Sequence, residues 1–187
     1  MPHLIGRNND VQDVTIDGYG LSESRSETFA ANAARVAKRS FTVSASDTEP
    51  AAGEYPLYVL NASTYTRNFI VDGITTWQVD ADVVWRLWEV SGTAGGAAVI
   101  TPKNTYFGSV ISAGELTARG GAGGVTGLTT VGNWVDEWGG GYVYNSYDKD
   151  VLSSVILEPG KALAIEYDAG TGGRCGVTVY GHFYPYL

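Results

Sequence analysis

Leu157-Glu158-Pro159-Gly160-Lys161-Ala162-Leu163-Ala164-Ile165-Glu166-Tyr167 is the stretch that decides the fold class. Pro159 fixes its own φ and Gly160 is free to take a positive one, so the pair is a turn dipeptide. After it, Leu163, Ile165 and Tyr167 alternate with Ala164, Glu166 and Asp168, the period of two that marks a half-buried strand. A second segment, Ile100-Thr101-Pro102-Lys103-Asn104-Thr105-Tyr106-Phe107-Gly108-Ser109, also reads as a turn leading into, or lying between, strands.

Working outward, the same signals recur. Tyr55 to Asn61 is a strand, and Phe69 to Val79 is a second, with a bulge at Asp72-Gly73. Val83 to Val90 is the most apolar strand: Val83, Trp85 and Leu87 face one way, Val84, Arg86, Trp88 and Val90 the other. Two apolar faces predict cover on both sides, one by the sandwich core and the other by a loop, the arm or a partner subunit. Gly92 to Gly96 reads as a flexible turn, Ala97 to Ile100 and Leu116 to Ala118 as short strands, and Gly120 to Gly124 as a loop. Leu128 to Val131 and Trp134 to Trp138 are expected to pair around Gly132-Asn133. Tyr142 to Tyr147, Val151 to Leu157, Ala162 to Asp168 and Gly176 to Tyr184 complete the series. About ten short strands separated by turn signals predict an all-β, antiparallel sandwich or barrel.

Residues 1–34 differ. Val11, Val14 and Ile16 are too sparse for a core, and Asn8-Asn9-Asp10 and Asp17-Gly18-Tyr19-Gly20 are turn-rich, so an extended N-terminal arm is expected, with the sandwich over 35–187. The alanine-rich run from Phe29 to Arg39 has helix propensity, whereas alternation from Ala34 to Ala45 reads as a strand. The strand is preferred for the second half, and the first half stays open.

Composition narrows the function. The chain has 187 residues, 44% hydrophobic and 17% charged, with 25 Gly, 12 Tyr and 5 Trp, which suits strands and turns. A net charge of −8 argues against nucleic acid as a partner, because phosphate binding depends on Lys and Arg. No apolar stretch of about 18 residues is present, so no membrane helix is expected. Met1 to Asp10 lacks the layout of a signal peptide, so synthesis in a cytoplasm is expected. Cys175 is the single cysteine and is expected to be a packed thiol.

Candidate chemistry is sparse. Asp136, Glu137, Glu166 and Asp168 are the carboxylates a glycosidase would need, with Glu166 and Asp168 side by side on one strand face. The competing reading is the solvent face of an amphipathic strand, and it is preferred, so no catalytic residue is assigned. Asp80 and Asp82, like Asp148 and Asp150, have D-x-D spacing without the rest of a calcium loop, so no metal or cofactor is assigned. His182 alternates with Tyr180 and Tyr184 on the last strand and is expected at the surface. The aromatics Trp134, Trp138, Tyr142, Tyr144 and Tyr147 cluster around Gly139-Gly140-Gly141, where they cap the core, anchor an interface or stack on sugars. Together with the apolar strand they give the candidate interface residues Trp85, Trp88, Trp134, Trp138, Tyr142 and Tyr144.

Four segments, in this order along the chain, resemble the jelly-roll cement, decoration or head-fibre proteins of tailed bacteriophages. They are Tyr55-Pro56-Leu57-Tyr58-Val59-Leu60-Asn61-Ala62-Ser63, then Thr101-Pro102-Lys103-Asn104 with Gly108-Ser109, then Pro159-Gly160-Lys161-Ala162-Leu163-Ala164-Ile165, and finally Val179-Tyr180-Gly181-His182-Phe183-Tyr184. The resemblance covers about residues 35–187 and implies a jelly-roll-like β-sandwich with a structural job rather than a reaction. It implies a homotrimer on the capsid surface of a virion, with the major capsid protein as partner. The alternative is a receptor-binding or fibre-tip module of the virion that takes a glycan. A small hydrolase working through Glu166 is the third reading.

Overall fold

The computed structural model describes residues 4–5, 11–16, 22–27, 39–64, 67–79, 82–107, 109, 115–140, 146–168 and 173–184. Near the N-terminus Leu4–Ile5 (β1), Val11–Ile16 (β2) and Ser22–Glu27 (β3) pair with one another as an antiparallel three-stranded sheet. Residues 28–38, which hold most of the alanine-rich run, lie outside the described residues.

From Ser40 onward ten strands follow: Ser40–Asp47 (β4), Glu54–Asn61 (β5), Asn68–Gln78 (β6), Val83–Ile100 (β7), Lys103–Asn104 (β8), Leu116–Thr130 (β9), Asp136–Gly140 (β10), Ser146–Leu157 (β11), Ala162–Asp168 (β12) and Cys175–Tyr184 (β13). They form two five-stranded antiparallel sheets, ordered β11-β6-β13-β4-β8 and β10-β7-β12-β5-β9. Setting β8 and β9 aside, β4-β13-β6-β11 faces β5-β12-β7-β10, and the chain changes sheet at nearly every connection. That winding is a jelly roll. Strands β8 and β9 belong to the excursion between β7 and β10, and they extend the two sheets beside β4 and β5.

Alternation along each strand builds the main core between the sheets. Phe41 and Val43 of β4, Phe69, Val71 and Ile74 of β6, and Val177, Val179 and Phe183 of β13 meet Leu57 and Val59 of β5, Val83, Trp85 and Leu87 of β7, and Leu163, Ile165 and Tyr167 of β12. Rings pack edge to face there, Trp85 on Tyr167 at 5.2 Å and Phe69 on Phe183 at 5.3 Å. The Cys175 thiol is buried in this core. The bulge in β6 falls where the sequence placed it: register slips so that Gly73 faces Tyr180 and Val71 faces Gly181, leaving Asp72 unopposed. Asp72 thereby reaches His182, with Oδ2 2.9 Å from Nδ1. His182 is fully buried rather than at the surface, because the bulge supplies its partner inside the sheet.

Strand β12 is not half-buried as its alternation predicts, for Ala162 and Ala164 are buried as completely as Leu163 and Ile165. The cover comes from the chain itself. β7 pairs with β12 through Val84–Val90, then runs on to pair with β9 through Val90–Ile100. β9 in turn pairs with β5 through Leu116–Gly120, and β5 pairs with β12. Strands β12, β7, β9 and β5 therefore close into a ring. A four-stranded ring leaves a narrow interior, and small side chains fill it: Ala97, Ala162 and Ala164 pack there with Tyr58, Val90 and Val125, flanked by Tyr55, Leu60, Trp88 and Leu128.

The ring corrects three expectations. Gly92 to Gly96 lies inside β7 and Gly120 to Gly124 inside β9; neither is a turn or a loop. Their glycines permit the coiling, with register shifts between Gly92 and Gly95 and between Gly96 and Ala98 that bend the ribbon. Gly92 and Gly127 have φ of 104° and 76°, and a Cβ on Gly92 would stand 2.5 Å from the Gly127 carbonyl oxygen. The expected hairpin around Gly132-Asn133 is also absent. β9 and β10 both pair with β7, one after the other, Thr130 opposite Val90 and Asp136 opposite Leu87. Segment 131–135 is a loop thrown out between them, tied at both ends where Val131 N–H donates to Glu89 O (2.9 Å) and Val135 N–H to Leu87 O (2.7 Å).

Candidate functional site

Arg86 stands on the outer face of β7, between Trp85 and Leu87, which both point into the core. Register then chooses its neighbours. Glu137 of β10 is directly opposite on one side and Glu166 of β12 on the other, with Asp168 one pleat further along the same face. Arg86 Nε donates to Glu137 Oε2 at 2.7 Å and Nη1 to Asp168 Oδ2 at 2.8 Å, and Glu166 Oε2 lies 3.7 Å from Nη1. These bonds, that to Glu137 first, hold the guanidinium above its ordinary pKa. The paired carboxylates Glu166 and Asp168 do share a face, as the sequence indicates, and there they serve an arginine.

Aromatic rings complete the face. The Trp88 indole N–H donates to Glu166 Oε2 at 2.5 Å. Trp134, on the 131–135 loop, meets Trp88 edge to face at 5.8 Å with planes at 87°. The guanidinium carbon of Arg86 lies 5.2 Å from the Trp134 ring centroid, a cation–π contact. Burial first, and then the charge of Glu166, push the Tyr55 hydroxyl above its ordinary pKa.

The six expected interface residues separate into three pairs. Trp85 and Trp138 are direct register partners on β7 and β10, and both rings are buried in the sandwich. Their indole N–H groups cross to β6 in the other sheet, Trp85 to Gln78 Oε1 at 2.7 Å and Trp138 to Thr76 Oγ1 at 3.1 Å. Trp88 and Trp134 are on the outside and are brought together with Arg86. Tyr142 and Tyr144 lie outside the described residues. Asp80 of the calcium-like spacing also lies outside them, and among the described residues no group of three or more His, Cys, Asp or Glu is placed to hold a metal ion.

A cleft of about 430 Å³ opens next to this face, reached by Trp88 from one side. Leu87, Leu157 and Leu163 floor it, and Val135 and Ile156 stand exposed on its rim. Asn68, Glu89, Glu158 and Lys161 supply its polar atoms, with Lys161 Nζ 3.0 Å from Glu89 Oε1. Sequence reasoning missed this cleft and the central part of Arg86. The available signal was a single cation in the strand Val83-Val84-Trp85-Arg86-Leu87-Trp88, which has two apolar faces.

Compared with known proteins, the chain matches no family model, no curated protein and no solved structure.

Proposed function

We propose that this chain is a structural virion protein, a capsid cement or decoration protein that binds between the capsomers of a tailed phage as a homotrimer. The observation that carries the reading is the apolar rim beside the cleft. Val135 and Ile156 are 55% and 51% exposed there, on a chain that is only 17% charged. Exposed apolar side chains grouped beside a cleft mark a protein contact. A second copy of the chain is the occupant proposed for this rim. The resemblance to phage virion proteins supports the setting. Two of its segments sit at joints, Thr101-Pro102 between β7 and β8 and Pro159-Gly160 between β11 and β12, and the other two lie along β5 and β13. Many weak contacts repeated by particle symmetry add up to strong retention.

Light scattering on the purified full chain is the test, followed by co-sedimentation with capsids that lack it. The expected mass is three times 19.9 kDa, with Val135→Asp or Ile156→Asp shifting it toward the monomer. A monomer at every concentration, with no sedimentation alongside capsids, overturns the proposal.

The second reading is a receptor-binding module of the virion. The arrangement of Trp134 over Arg86 favours it. Labelling the protein on intact particles separates the two readings: capsid surface for cement, tail or neck for a receptor binder.

A further inference from the structure

We infer that the face around Trp134 is a binding site for a neutral pyranose sugar. Trp134 is 49% exposed, yet its ring is not loose. Trp88 supports it edge-on, Arg86 packs against it, and both ends of its loop are bonded to β7. A fixed, half-exposed indole offers apolar surface to the C–H face of a sugar ring and costs little ordering on binding.

Hydroxyl acceptors stand one guanidinium away. Glu137 gives Oε2 and Asp168 gives Oδ2 to Arg86, and in each case the second oxygen bonds none of the described residues. Both carboxylates are partly open to solvent, with side chains 41% and 39% exposed. Their free lone pairs suit O–H donors, and bonds of that kind are charge-assisted. Arg86 and the strand register fix the direction in which these acceptors point, as a specific site requires.

Charge sets the class of sugar. Glu137, Glu166 and Asp168 face the single guanidinium of Arg86, so the cluster is net negative. Uronic acids, sialic acids and sugar phosphates meet like charge there, whereas a neutral hexopyranose does not. Each site alone is expected to hold a monosaccharide with a Kd on the order of 1 mM, and copies arrayed on a particle would multiply that by avidity. The inference does not rest on the subunit contact proposed above, which uses Val135 and Ile156 at the cleft and not Trp134.

The experiment is ligand-observed saturation-transfer NMR on the full chain. The probes are D-glucose, D-galactose, D-mannose and N-acetyl-D-glucosamine, with D-glucuronate as the anionic control. At least one neutral sugar is expected to bind, and glucuronate to bind at least about tenfold more weakly, the effect of one uncompensated charge contact. Trp134→Ala is expected to abolish the signal, while Trp77→Ala, which removes the exposed tryptophan of the other sheet, leaves it intact. Should Trp134→Ala fail to fold, Asp168→Asn keeps the side-chain shape and is expected to weaken binding at least about tenfold, as loss of a charged hydrogen bond does. No transfer to any neutral sugar up to about 50 mM, far above the expected range, overturns the inference. So does glucuronate binding as well as glucose, or unchanged binding in a folded Trp134 or Asp168 variant.

Discussion

Replacing Thr76 by Val keeps the shape of a fully buried side chain and deletes one acceptor, the Oγ1 that takes the Trp138 indole N–H across the sandwich at 3.1 Å. Trp138 is only 5% exposed, so water cannot stand in for the lost acceptor. A buried donor left unmatched costs about 1–3 kcal/mol, and Thr76→Val is expected to lower the unfolding free energy by that amount. Trp138→Phe removes the donor from the other side, at a further cost for the space the smaller ring leaves empty. Once both changes are made no polar group is stranded, so the double variant is expected to be more stable than the sum of the single losses, by about 1 kcal/mol or more. Equilibrium urea unfolding of the four proteins at one concentration gives the cycle, provided the m-values agree. If the effects add to within about 0.3 kcal/mol, the ordinary error of additivity, the indole bond contributes nothing to joining the sheets and the reasoning fails.

Two further outcomes are expected. Gly127→Ala combines a φ of 76° with a Cβ driven against the Thr93 carbonyl oxygen, whereas Gly132→Ala has a φ of 71° and open space around it. Gly132→Ala should cost about 1–2 kcal/mol for the backbone alone and Gly127→Ala distinctly more, read from urea midpoints; equal midpoints would contradict the tight coiling of the ribbon. Burial raises the Tyr58 pKa above its ordinary 10.0. The fold therefore favours the neutral phenol, so that contribution is whole below pH 10 and is lost as pH rises through the higher folded value. Unfolding free energy should fall above pH 10, and less steeply in Tyr58→Phe; parallel pH curves would show that Tyr58 is not the group responsible.

Much of the sandwich is legible in the sequence because alternation reports directly on a sheet with one face inward. Val83, Trp85 and Leu87 separate from Arg86 and Trp88 by parity alone, and the structure puts them on the faces parity assigns. The glycine runs were misleading for a physical reason. A glycine at positive φ in a coiled strand looks, in sequence, the same as one in a turn, and only the distant partner strand tells them apart. Parity also fails for Trp134 and Trp138. An even spacing would set them on one face of a continuous strand, but the 131–135 loop ends before β10 begins, so one ring is exposed and the other is buried. The Arg86 cluster was out of reach because Glu137 and Glu166 arrive from strands β10 and β12, and register between remote strands is a tertiary outcome.

The ring of β12, β7, β9 and β5 changes how this molecule comes apart. A strand at the rim of an open sheet can peel away by breaking one ladder at a time. Gly120 of β9 is flanked by Leu57 on one side and Ala98 on the other, so detaching β9 there means breaking two ladders together. The ring also joins segments remote in sequence, β5 and β12 among them, so it is expected to close late in folding and to yield early in unfolding. Interactions that form after the folding barrier act mainly by slowing unfolding. The persistence expected of this region is thus a matter of lifetime, a slow unfolding rate even where equilibrium stability is ordinary.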